Sequence, residues 1–170
     1  MPVTVAALPS MRLLGGGSAF RPELLALMEH VDLLAGLAWR EIEVLAGYMQ
    51  AYAAEPGCMV FKEGEPGRYM GLLVRGQVVI RKEAEGVKDA VVSIEGRGRS
   101  IGEMALIDGE PRSASCEVVE TATLLLLTRE QFERLAAEHP ALAFKLLLRI
   151  TKLMSRRLRL TSGQLVEHLA

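Results

Sequence analysis

The chain has 170 residues, half of them apolar and about a quarter charged, an ordinary globular composition that excludes fibrous and intrinsically disordered classes. Twenty Lys and Arg against twenty-one Asp and Glu leave a net charge of −1, so no global positive field exists to hold a nucleic-acid backbone, and DNA binding would need a local basic face. One domain is the simplest partition at this length.

The N-terminal segment MPVTVAALPSMRLLGGGSAF lacks the basic start and long apolar run of an export signal, and no later stretch reaches membrane-spanning length without charges. Residues 1–18 are expected as a mobile tail around Gly15-Gly16-Gly17, with a single domain over 19–170 in a cytoplasmic protein that has no membrane partner. Cys58 and Cys116 lack metal-site spacing and are too few for a disulfide framework, so reduced, buried thiols are expected.

From Pro22 to Ala54 apolar residues recur at helical spacing (Leu24, Leu25, Leu27, Met28, then Leu33, Leu34, Leu37, then Ile42, Leu45, Ala46, Met49), which predicts two or three helices over 22–54. From 56 to 128 the texture changes to short apolar runs punctuated by turn residues: CMVFKEGEPG, then YMGLLVRGQVVIRKEAEGVKDAVVSIEGRG, then SASCEVVETATLLLLT. Such strands predict an antiparallel sandwich or jelly roll. Helices resume at TREQFERLAAEHP, where Thr128 caps, Gln131 stands three residues later as in a capping box, and Pro140 opens a last helix, giving C-terminal helices over 129–169. The predicted class is α+β, mainly β: an antiparallel jelly roll flanked by N-terminal helices and a long C-terminal helix.

Catalytic constellations are scarce. His30, His139 and His168 are scattered among predicted helices, so a metal-binding cupin, which shares the jelly roll, would lack its histidine cluster. No nucleophile elbow, P-loop or dinucleotide-binding glycine pattern follows a strand. The expectation is a protein that is not an enzyme and carries no cofactor or metal.

The segment IGEMALIDGEPRSAS, residues 101–115, is different in kind. Gly102 followed by one short helical turn exposes backbone N–H groups that attract an anion. Ala105 is small enough to admit it, and Arg112 would add a two-pronged clamp for phosphate oxygens. Ser113 and Ala114 keep the approach open, and the ionised Glu103, an acceptor only, suits a sugar hydroxyl. The competing reading is a surface turn in which Arg112 pairs with Glu110 or Asp108, a contact worth little. Local chemistry leaves both open.

GEMALIDGEPRSAS closely resembles the phosphate-binding cassette of cyclic-nucleotide-binding domains, the family of bacterial catabolite activators and of protein kinase A regulatory subunits. VFKEGEPGRYMGLLVRGQVVI resembles the family's first hairpins, and the resemblance spans residues 20–168. It implies that Arg112 and the Ala105 amide bind the cyclic phosphate, that Glu103 binds the ribose 2′-hydroxyl, and that the backbone of Gly102 and Met104 completes the pocket. Ser113 and Ala114 match the catabolite-activator pattern. Ile80, Val92 and Ser93 would line the base side by the same alignment.

In the last predicted helix, Leu147, Thr151, Met154, Leu158, Thr161, Leu165 and His168 alternate spacings of four and three, a seam for another helix. Leu146, Ile150, Leu153 and Leu160 form a second stripe expected to face the domain. Arg156, Arg157 and Arg159 read as a solvated basic face. RRLRLTS, residues 156–162, resembles the catabolite activator's dimer helix, in which the threonine and the serine, the latter from the opposite subunit, meet adenine; Thr161 and Ser162 take those places here. The catabolite activators continue into a helix-turn-helix that this sequence does not reach by Ala170, and clustered arginines of a kinase inhibitor segment are missing near the N-terminus.

The expected function is therefore a regulatory sensor module that binds cAMP in preference to cGMP, is a homodimer, acts on an unidentified downstream protein and makes no direct DNA contact. Two alternatives stand beside it: a truncated catabolite-activator-type transcription factor, decided by the length of the natural gene, and a ligand-free dimerisation scaffold, decided by titration with cAMP.

Overall fold

The computed structural model describes residues 10–17, 21–84 and 86–169. In chain order the elements are β1 (Arg12–Gly16), α1 (Arg21–Met28), a 3-10 turn (Asp32–Leu34), α2 (Trp39–Ala46), β2 (Gln50–Ala54), β3 (Met59–Phe61), β4 (Tyr69–Ala84), β5 (Val87–Glu95), β6 (Ser100–Ile101), α3 (Glu103–Asp108), β7 (Ser115–Thr128), α4 (Arg129–Glu138) and α5 (Pro140–Leu169). All strand pairs are antiparallel: the order β1-β2-β7-β4-β5 forms the main path, β3 adds to β7, and β6 adds to β4. This is the predicted helix-flanked antiparallel roll.

The pairing of β4 with β7 runs from Tyr69↔Thr128 to Arg81↔Ser115, with register shifts between Leu73 and Val78. Bulges of this kind bend a strand and raise its twist, which lets both long strands turn from one layer of the roll into the other. Gly76 sits inside the bulged stretch at φ 82°, and a Cβ there would lie 2.3 Å from the Thr121 carbonyl oxygen.

Period-two alternation divides the core. Leu125 and Leu127, with Met70, Leu72 and Val74, pack outward against the helices. Leu124 and Leu126, with Tyr69, Leu73 and Val78, pack inside the roll with Tyr52, Phe61, Cys116 and Val118. Both faces of these strands are buried, so LLLL reads as one unbroken apolar run.

Two boundaries are corrected. Residues 12–16, assigned to a mobile tail, pair with β2, and Gly16 serves close approach: a Cβ there would lie 2.7 Å from Gln50 Cγ. Residues 1–9 and 18 of that expected tail lie outside the described residues. Gln50–Ala54, assigned to the helical block, is a strand, with Ala51 in the outer core and Tyr52 and Ala54 in the inner one. Pairing with β7 overrides the helical bias of its alanines.

At the C-terminal side, the Thr128 side chain accepts from the Gln131 amide at 3.1 Å, the predicted cap. Leu142, Ala143, Leu146 and Ile150 bury α5 in the outer core, with Met154 packed against it. Met154, expected in the outward seam, thus faces the domain, while Leu160, expected to face it, is 69% exposed. The stripe left open is Phe144, Leu148, Thr151, Ser155, Leu158, Ser162 and Leu165, again at spacings of four and three. The side chain of His168 lies outside the described residues. Among the described residues no helix is long and apolar enough to cross a membrane, and both thiols are free, Cys116 buried and Cys58 half-buried.

Candidate functional site

The segment between β6 and β7 is built by its glycines. Gly102 and Gly109 bracket α3 in left-handed conformations, φ 67° and 72°, which glycine adopts without steric cost. A Cβ on Gly102 would stand 2.5 Å from an Arg112 guanidinium nitrogen. Gly67 is required from the other side, since a Cβ there would fall 2.0 Å from the Ala105 Cβ. The loop carrying Gly67 also fixes the Arg112 backbone: the Arg112 amide donates to Glu65 O, and the Gly64 amide donates to Arg112 O, both at 2.8 Å.

Arg112 is not on a surface turn. It is 4% exposed, and Nη1 and Nη2 donate to the carbonyls of Gly102 (3.1 Å) and Tyr69 (2.7 Å). The guanidinium stacks over Phe61 and Tyr69, 4.1 and 4.6 Å from the ring centroids. Among the described residues it makes no ion pair, so pairing with Glu110 or Asp108 is excluded. Two bonds leave three of the five N–H donors of a guanidinium, including the partnerless Nε. Desolvation pulls its pKa down from the usual arginine value, because a buried charge without a counter-charge is disfavoured.

Glu103 stands opposite in charge and alike in burial, 3% exposed. Oε1 pairs with the Arg157 guanidinium, which also donates to Ser100 O at 3.0 Å, while Oε2 is buried with no hydrogen-bond partner among the described residues. Burial pushes the Glu103 carboxyl above the usual glutamate value, with Arg157 opposing the shift. The site thus holds a buried cation without an anion and a buried carboxylate with one idle oxygen. Each is costly when empty and useful to a ligand that supplies the missing half.

Of the remaining predicted residues, Ala105 is buried at α3, Met104 is exposed at its rim, and the Ser113 hydroxyl lies 3.8 Å from the Met104 sulfur. Ala114, two residues after Arg112, is half-buried. Ile80 opposes both Ser93 and Cys116 in the ladder and so shares the inner face of the roll with them. Val92 occupies the β5 bulge and is 60% exposed, so it is not gathered with the others. Thr161 and Ser162 are exposed on α5, one turn beyond Arg157, with the Ser162 hydroxyl donating to Leu158 O at 2.8 Å.

Three participants are absent from the sequence-based expectations: Phe61, Tyr69 and Arg157. The aromatic pair could have been suspected from the need of a buried guanidinium for ring faces. No local signal marks Arg157, which reaches a carboxylate 54 positions earlier in the chain and is not the solvated basic residue expected. Among the described residues no group of three or more His, Cys, Asp or Glu is placed to hold a metal ion.

Comparison with known proteins agrees with this geometry. The model of the cyclic nucleotide-binding domain matches residues 53–139. A crystal structure of a cyclic nucleotide-binding domain from Methylobacillus flagellatus superposes with a TM-score of 0.82 at 32% identity, covering 94% of this chain and 90% of that one. The cyclic AMP receptor protein of Thermus thermophilus is 33% identical over 132 residues, 78% of this chain and 59% of the receptor. A cAMP-dependent protein kinase regulatory subunit of Emericella nidulans is 34% identical over 110 residues, 65% of this chain and 26% of the subunit. The chain therefore spans about three fifths of the bacterial receptor's length. With the glycine-bracketed turn, the buried arginine and the half-satisfied glutamate in place, the chain belongs to the cyclic nucleotide-binding domain family.

Proposed function

We propose that the chain senses a cyclic mononucleotide, cAMP in preference to cGMP, and works as a regulatory homodimer joined along α5. The observation that carries the reading is the Arg112 cation, buried without a carboxylate. A cyclic phosphate supplies that missing charge to the spare N–H donors of Arg112 and to the Ala105 amide in the first turn of α3, beside the Gly102 and Met104 backbone. The idle Oε2 of Glu103 accepts the ribose 2′-hydroxyl. Ile80 and Ser93 face the base from the inner sheet, and Ser113 and Ala114 border the mouth. A ligand-free scaffold is disfavoured, because in it both buried charges would destabilise the fold without return.

The exposed stripe from Phe144 to Leu165 fits a second copy of α5, and Ser162 lies on that stripe, where it would reach the nucleotide of the opposite subunit while Thr161 serves its own. A hydroxyl accepts from the adenine amino group or donates to the guanine carbonyl. The preference for cAMP therefore rests on the likeness of residues 156–162 to the catabolite-activator helix and on relatives named for cAMP. The output is an unidentified protein partner in the cytoplasm. Calorimetry with cAMP, cGMP and linear AMP tests the reading: cAMP binds tightest, an equal affinity for cGMP removes the base assignment, and no saturable binding by any of the three sinks the whole.

A further inference from the structure

A cleft of about 290 Å³ lies between the Asp32–Leu34 turn, the β5–β6 turn and α5, lined by Arg99, Arg149, Lys152, Arg156 and Arg157 against a single acid, Asp32. We propose that this cleft is a second anion site that takes the phosphate chain of a small polyphosphate. The inference is independent of the cyclic-nucleotide reading.

The local charges do not balance. Arg99 is held by Asp32 (3.5 Å) and Glu95 (3.2 Å), and Arg157 by Glu103. Arg149, Lys152 and Arg156 make no ion pair among the described residues. Glu41 lies close enough to feel Arg149, but Lys145 and the Ala38 amide occupy its carboxylate. Nor does α5 supply a partner, since no Asp or Glu occurs between Pro140 and Gln164. Arg149, Lys152 and Arg156 stand three and four residues apart, where like charges on a helix oppose each other. Three mutually repelling cations turned into one concave space are stabilised when an anion enters it.

The shape selects the anion. From Arg149 to Arg156 the row extends about 10 Å along the helix, longer than one phosphate and suited to a chain of them. Guanidinium forks match the paired oxygens of phosphate, and a 290 Å³ space admits a short chain and not a folded protein segment. The row also lies roughly 120° around α5 from the Phe144–Leu165 stripe, so pairing of two copies along that stripe leaves the cleft open.

Calorimetry on the full chain with inorganic tripolyphosphate, at about 0.15 M salt, tests this. Saturable one-to-one binding is expected, weaker by about tenfold or more in Arg149→Ala/Lys152→Ala, weakened to a smaller extent in Arg149→Lys, which keeps the charge but loses the fork, and unchanged in Arg112→Leu. Thermal melts establish that each variant is folded. ATP binding as tightly as tripolyphosphate identifies a nucleotide's phosphate chain as the source, and tripolyphosphate alone identifies an inorganic chain; either supports the site. Absence of saturable binding, binding lost in Arg112→Leu while Arg149→Ala/Lys152→Ala keeps it, or equal binding of a hexaglutamate peptide would overturn the proposal. Cyclic-nucleotide affinity is read separately in the same variants, so failure of one reading does not carry the other with it.

Discussion

Replacing Arg112 by Leu separates what the buried guanidinium does for the ligand from what it does for the fold. A desolvated phosphate deprived of its cation loses about 2–5 kcal/mol of binding, roughly thirty-fold to several thousand-fold in Kd. In the empty protein the terms oppose each other. The change removes two charge-assisted bonds to the carbonyls of Gly102 and Tyr69, worth about 1.5–3 kcal/mol each, together with the stacking on Phe61 and Tyr69. It also removes a desolvation cost of several kcal/mol for an ion with no partner, and it adds about 1.5–3 kcal/mol from burying Leu. These nearly cancel, so the ligand-free melting temperature is expected to move by no more than about 4 °C, the equivalent of 1–2 kcal/mol at this length. At a cAMP concentration a hundred times Kd the unaltered protein gains about 2.7 kcal/mol, or about 5–10 °C. The variant at the same concentration gains at most about 0.9 kcal/mol, at the thirty-fold end of that range, and almost nothing at the other. Calorimetry gives the affinities and melts with and without ligand give the stabilities. Full cAMP affinity in a folded Arg112→Leu protein would refute the phosphate role, and a variant that fails to fold without ligand would refute the cancellation.

The sugar contact and the assembly give two further expectations. At neutral pH 2′-deoxy-cAMP should bind about 1.5–3 kcal/mol more weakly than cAMP, a difference that disappears in Glu103→Ala; persistence there assigns the ribose to another group. Burial raises the Glu103 pKa in the fold, so between the ordinary glutamate value and the raised one the native chain binds the extra proton. Stability therefore falls as pH rises through that window, and the 2′-hydroxyl preference weakens as pH falls through it, where the acceptor becomes protonated. In Glu103→Gln both dependences should flatten in a pH series of melts and titrations. Leu158→Glu, placed in the middle of the exposed stripe, should lower dimer stability and cAMP affinity together, whereas Ser162→Ala should cost about 1 kcal/mol of affinity and leave the dimer intact by sedimentation. A monomeric Leu158→Glu protein with full affinity confines base recognition to one subunit.

Local patterns and distant contacts were unequally legible. The cassette was readable because its demands are short-range: glycines at the left-handed positions, a small residue in the first turn of α3, an arginine after the turn. The cap at Thr128 and the opening of α5 at Pro140 follow from chemistry within one helical turn. The strand at Gln50–Ala54 was hidden because three alanines carry little strand signal and only pairing with β7 decides them. β1 was hidden because Gly16 serves close approach to β2, and a run of glycines reads in sequence as flexibility. The seam on α5 was displaced because apolar side chains at Leu147, Leu148, Ile150, Leu153 and Met154 cover more than half of the helix circumference, and only the core reveals which of them remain outside. Val92, assigned to the base by alignment, falls in a bulge that alternation along β5 does not mark.

Helix α5 leaves the body of the domain near Arg157: the side chains from Leu158 to Leu165 are all exposed. From Leu158 to Leu169 the helix extends about 18 Å, and its root is tied to Glu103 and Ser100 through one guanidinium. It is in effect a lever with its fulcrum at the buried Glu103 carboxylate. A tilt of about 10° at that root displaces the far end by about 3 Å over this length. A change in the company kept by a single buried carboxylate is thereby enlarged to a movement on the scale of a side chain, at the far end of the helix.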